Sequence, residues 1–248
     1  HCLLRRQRQM CIRDRNEAIP SDPLNWALKQ VDEVPNLSWT GRLLTEKELR
    51  GHYRDWVYND RKILRKKYKD NKTLYKINRD LLRHKTGQKF WESLEITVRH
   101  NEAINSNNPV LAKLWMFWGN FFTISDKDFL ANYSTGPYQR EMIRPNLNQT
   151  FEKMVYDVTT SWAMIHHLDN SESAGPKSES AKSEWRKRKK EPATINENHA
   201  RELLELHTVS PNSGYTQEDI IQLAYIMTGW QHKHCLLYTS PSPRDNKA

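Results

Sequence analysis

Residues 194–230, TINENHARELLELHTVSPNSGYTQEDIIQLAYIMTGW, hold two helix starts, a turn and a helix stop. Thr194 and Glu197 have the spacing of a capping box, in which a hydroxyl and a carboxylate reciprocally bond backbone N–H groups that have no partner inside a helix. The helix opened there is expected to reach about Leu206. At about 100° per residue it carries Ala200, Leu203 and Leu204 around one face, with His207 near the centre of that face and so buried. Gly214 supplies a turn, Thr216 with Asp219 a further cap, and Gly229 a stop. No segment of useful length alternates at strand period, so the chain reads as all-α, an irregular multi-helix bundle.

The same grammar extends upstream. Ser21-Asp22-Pro23 reads as a cap followed by proline at the first helical position, opening a helix to about Val34. Thr45 and Glu48 form another capping box, followed by two basic helices that break near Asp70-Asn71 and end near His84. Gln88 to about Ser106 continues as helix, and Asn107-Asn108-Pro109 resets the chain into the apolar PVLAKLWMFWGNFF. Ser134 to Pro137 reads as a turn before a short helix from Tyr138 to Arg144. Leu147, Phe151, Met154, Val155, Val158 and Trp162 then recur at helical spacing as central core.

All three cysteines, Cys2, Cys11 and Cys235, lie near the ends, and HCLL occurs at both 1–4 and 234–237. RRQRQMCIRDR and CLLYTSPSPRD resemble translated sequencing-adapter read-through. Residues 1–15 and 234–248 are therefore expected to be non-native tails around a helical domain at 16–233. The whole chain carries a net charge of +9, but residues 16–233 keep 32 basic against 28 acidic side chains. That balance does not by itself support nucleic-acid binding, which needs a clustered basic face; the lysine- and arginine-rich stretch from Glu46 to about His84 is read as a solvated face, with a nucleic-acid or acidic-membrane face as its alternative. Between the tails there is no cysteine, which excludes a disulfide framework, a zinc knuckle or a thiol nucleophile there. Residues 171–194, rich in serine and lysine, read as a long mobile loop.

Four blocks, LWMFWGNFFTIS (114–125), GPYQREMIRPNLNQTF (136–151), AMIHHLDNSESAGP (163–176) and residues 195–230, resemble the domain of unknown function 1800 family. The resemblance implies a bacterial helical protein, periplasmic or secreted in its full-length form and encoded beside an exported alkaline-phosphatase-like partner. It also implies that the chain stops early, because members continue past the TGW motif. Many members carry histidine at the positions of Phe121 and Asn146, which puts any metal site built on those two histidines in doubt.

The residues able to carry chemistry admit two readings each. His207 is a general base or metal ligand, or a satisfied core histidine. Glu202 or Glu205 converges with Asp169 on a divalent cation or a water, or else Glu197, Arg201 and Glu205 form an ion-pair ladder. Arg140 and Arg144 grip an anion, or brace the acidic helix at 197–205. Adjacent His166 and His167 diverge by about 100° and cannot chelate one ion together. Trp115, Trp118 and Trp230 stack a sugar, or are core. The enzyme reading takes Glu202, His207 and Asp169 as catalytic, with Asn120, Asn170, Asn198, Arg140, Arg144, Tyr215 and Trp230 binding substrate. The rival is a scaffold or binding module.

Overall fold

A computed structural model describes residues 20–85, 88–125, 129–175, 178, 195–233 and 236–238. The expected tail at 1–15, most of the 171–194 loop and most of the 234–248 tail lie outside the described residues. Within them the chain is a helical bundle of the expected class.

Helix α1 (Pro23–Lys29) begins as read, the Asp22 carboxylate accepting from Asn25 N at 3.1 Å. It ends well before Val34. Gln30 turns inward and its side-chain oxygen accepts from Val110 N at 3.1 Å, in the first turn of α6 (Pro109–Phe121). Asn108 makes no side-chain cap there, so a residue 80 positions away satisfies one of the orphan donors of that helix start.

Helix α2 (Glu46–Asp55) carries the expected Thr45/Glu48 box, passes through a π-helical turn at Trp56–Asp60 and becomes α3 (Arg61–Lys67). The break falls at Tyr68–Asn71, before α4 (Lys72–Lys85) and then α5 (Gln88–Asn105).

Helix α7 (Phe129–Tyr138) corrects the turn expected at Ser134–Pro137, for those residues lie inside it. Gly136 is the crossing point with α5: a Cβ there would stand 2.3 Å from Glu95 Cβ. The glycine thus serves close approach between helices, and the chain beyond Pro137 opens into a π-helical turn at Gln139–Ile143. A short 3₁₀ turn follows at Arg144–Asn146. Gly136→Ala should lower stability by about 1–3 kcal/mol, because the obstructing atom is a Cβ and not the end of a flexible chain. Urea unfolding checks this; an unchanged midpoint would show that α5 can yield.

Helices α8 (Phe151–Thr159) and α9 (Trp162–His167) are capped by Thr150 and Ser161. Met154, Val158 and Trp162 are buried as read, with Leu111, Trp115, Phe122, Tyr138, Ile143 and Met164 completing the main core. Phe151 is half exposed instead. Tyr138 is fully buried and donates its hydroxyl to Phe122 O at 2.7 Å, and burial pushes its phenol well above the ordinary range.

The last two helices correct one cap and uphold another. Helix α10 (Asn198–Glu202) starts later than the Thr194/Glu197 box requires: Thr194 lies outside the described residues, and Glu197 makes no cap bond. Asn196 does this work, its side-chain Oδ1 accepting from Asn198 N at 3.0 Å. The helix continues as a π-helical turn, Leu203–Thr208, and α11 (Gln217–Met227) carries the expected Thr216/Asp219 box. Ala200 packs against Ile220, Ala224 and Met227 in a second core. Three-residue strands, Gln231–Lys233 and Leu236–Tyr238, pair antiparallel after the last helix, and are the extended pairing among the described residues.

Candidate functional site

Two polar clusters sit within the bundle. The first lies where α2, α5 and the turn after α7 meet. Arg140 donates to Glu95 Oε1 at 2.9 Å, to Glu141 Oε1 at 3.1 Å and to Leu44 O at 2.6 Å. The Glu141 carboxylate in turn accepts from Glu46 N, 3.3 Å from each oxygen. Arg140 thus braces α5, its own turn and the Leu44 carbonyl, and not the acidic helix at 197–205 that the bracing reading gave it. Arg144 diverges from it. Its guanidinium donates to Pro35 O at 2.6 Å and lies 5.7 Å from the Trp115 ring centroid.

Glu46 and Arg50, four residues apart, are the unexpected members of this cluster. Both are buried, and Glu46 Oε1, Arg50 Nε and Arg50 Nη1 have no hydrogen-bond partner among the described residues. Burial pushes the Glu46 carboxyl up to about 7; Arg50 opposes this and Glu141 adds to it. Arg50 lies over the Trp162 ring at 5.6 Å, so part of its charge is met by an aromatic face. Sequence reading missed both because they flank Leu49 on a helix whose charged residues look like a solvated surface. A cavity of about 190 Å³ opens beside the cluster, lined by Trp91, Trp115, Tyr133, Glu92, Glu95 and Arg99 among others.

The second cluster is made of histidines. His207 is buried as read, its ring 5.2 Å from Phe122 and 6.2 Å from Phe121. His199 is fully buried, with neither ring nitrogen bonded among the described residues. Burial first, then His207 and His167, holds it down to about 3, and burial likewise lowers His207. His199 was missed for a geometrical reason. An ideal α-helix sets positions eight apart about 80° around its axis, but a π-helical turn spends more residues per turn. The turn at 203–208 thereby carries His207 back towards the face of His199.

His167 diverges from His166, as the helix geometry demanded. His166 stacks on Trp162 at 5.3 Å, while His167 Nδ1 accepts from Ser125 N at 3.1 Å. That acceptance needs the Nδ1 lone pair, so in the neutral ring the proton sits on Nε2. While it keeps this bond His167 cannot lend its Nδ1 lone pair to a metal, as a histidine ligand bound through that nitrogen would have to. Among the described residues no three of histidine, cysteine, aspartate and glutamate are placed to hold a metal ion.

The other named residues divide between a joint and a surface. Asn170 is buried and its amide donates to Met227 O and to Trp230 O, each at 3.1 Å. Asp169 adopts a left-handed backbone with φ 55°, its carbonyl accepting from Asn196 at 3.0 Å, and the Asn198 amide reaches Leu168 O at 3.4 Å. These residues fasten α9 to α10 and α11. Arg201 joins Glu197 at 3.2 Å and Glu205 at 2.9 Å, forming the ladder. Asn120 is exposed, Glu202 half-buried, and the Tyr215 hydroxyl is buried against the second core without a partner among the described residues. Trp115 is core, its indole donating to Gln139 O at 2.8 Å, whereas Trp118 stacks among Phe121, Phe122 and Phe151. Asn146 is buried, and its amide donates to Asp157 at 2.8 Å.

The family described as protein of unknown function, DUF1800, matches residues 14–247, a range that includes most of the 234–248 stretch. Neither a curated protein nor a solved structure matches the chain.

Proposed function

Since the chain belongs to the DUF1800 family, whose description assigns no activity, we propose from its geometry that it is a scaffold or binding module of the bacterial cell envelope. The observation that carries this is the use of its charged groups. Arg140 is spent on Glu95, Glu141 and a backbone carbonyl, and Arg201 on Glu197 and Glu205. Groups so saturated hold a structure rigid and have little left for a substrate. The cavity beside Glu95, walled by Trp91, Trp115 and Tyr133, offers a place to receive a partner's side chain. The family resemblance supports export, and an exported alkaline-phosphatase-like protein is the partner we propose. Calorimetric titration of the pair should give saturable binding that Trp91→Ala weakens about tenfold or more. The reading fails if the protein instead carries one equivalent of divalent metal that Glu202→Ala or His207→Ala releases.

A second reading, an enzyme, is favoured by His199, a buried imidazole that burial keeps neutral and whose two ring nitrogens lack partners among the described residues. Neutral imidazoles so placed suit proton transfer, with His207 as the base. Turnover abolished by His207→Gln without loss of folding would establish it.

A further inference from the structure

We propose that the helical hairpin α3–α4 docks on an anionic lipid surface. The inference goes beyond the binding reading, for the hairpin is remote in chemistry and composition from the cavity at Glu95, and either can fail alone.

Charge is the first ground. Arg61 to Lys85 holds eleven basic and two acidic residues. The rest of 16–233 is left with 21 basic and 26 acidic residues, so this hairpin is a strongly basic segment in a chain whose remainder is net acidic. Lys62, Arg65, Lys66, Lys67, Lys72 and Lys76 are exposed, and none has a carboxylate partner among the described residues.

The second ground is apolar. Leu74, Ile77 and Leu81 follow i, i+3, i+7 spacing along one face of α4 and are 43%, 50% and 61% exposed. On α3, Ile63 is 63% exposed and is flanked one turn later by Lys66 and Lys67. Tyr75, on the adjoining side of α4, lies against Arg61 and Arg65 and keeps the two helices together. The opposite side of the hairpin is occupied, since α4 packs on α5.

An exposed apolar row on a hairpin this basic is the pattern of a helix lying in the headgroup layer, its aliphatic side chains among the acyl chains and its long cationic side chains reaching to the phosphates. Nucleic acid would use the cations alone and leave the leucine row wet. No helix among the described residues is long and apolar enough to cross a membrane, so the contact proposed is with the surface.

The test is flotation of the full chain with vesicles of phosphatidylcholine, with and without about one-third phosphatidylglycerol. We expect at least about tenfold stronger retention on the anionic vesicles, weakened by salt, and a loss of about tenfold in Leu74→Asn/Ile77→Asn/Leu81→Asn. Circular dichroism should show the triple variant folded, because the three side chains are exposed. Should it unfold, Lys66→Glu/Lys67→Glu replaces it, with the same loss expected. Equal retention on neutral and anionic vesicles overturns the proposal, as does a folded variant that binds like the parent. Tighter binding to a short DNA duplex at matched phosphate would overturn it in favour of nucleic acid.

Discussion

His199→Leu will remove about 3 kcal/mol of acid destabilisation between pH 6.5 and about pH 4. The folded protein holds this imidazole down to about 3, whereas in the unfolded chain it titrates near 6.5. Folding therefore expels a proton at acid pH. The stability associated with His199 is fully present above 6.5 and is lost as the pH falls towards 3. Leucine has a similar volume and nothing to protonate. It also removes two ring nitrogens that have no partner among the described residues, so at pH 8 the variant should match or exceed the parent by about 1 kcal/mol. Urea unfolding across the pH series decides this. Parallel curves for the two proteins below pH 6 would mean that His199 finds a partner or water on protonation.

Glu46→Gln has the opposite sign. Burial raises this carboxyl to about 7 from 4.5, so the folded state keeps its proton while the unfolded state releases it. Stability is fully present below 4.5 and is lost as pH rises to about 7, a cost on the order of 3 kcal/mol. The amide never ionises, and the variant should be more stable than the parent by about 2–3 kcal/mol at pH 8. The two groups also mask one another. Between 4.5 and 6.5 their slopes oppose, so the parent should be nearly flat there, Glu46→Gln should rise with pH, and His199→Leu should fall. If Glu46→Gln instead runs parallel to the parent through that window, the parent's carboxylate is met by Arg50 and ionises normally.

What could be read in the sequence was local. The Thr45/Glu48 and Thr216/Asp219 boxes are four-residue devices, and each is present. Helical periodicity found Met154, Val158 and Trp162 because a single stripe faces the main core. Reading failed where a distant element decides the outcome. Nothing near Asn108 announces that Gln30 serves the start of α6, and Gly136 resembles a turn residue until Glu95 is placed against it. Change of helical pitch was the other failure. His207 was read correctly on an α period, but its companionship with His199 depends on the π-helical turn between them.

The two positions at which the family resemblance implies histidine are filled by side chains with contacts of their own. Phe121 packs 6.2 Å from His207, and Asn146 bonds Asp157 and Met142 O. Both positions are thus occupied by side chains with settled contacts, one aromatic and one amide, rather than by replacements left idle.

The joint around Asn170 bears on how this chain tolerates change in its length. Ser173 Oγ accepts from Asn196 N at 3.1 Å, while Asn170 bonds carbonyls 57 and 60 positions further on. The two ends of the stretch between residues 174 and 195 are thereby brought together by the folded body itself. A gene divided within that stretch would yield two polypeptides that still carry the bond between Ser173 and Asn196 and those from Asn170 to the carbonyls of Met227 and Trp230.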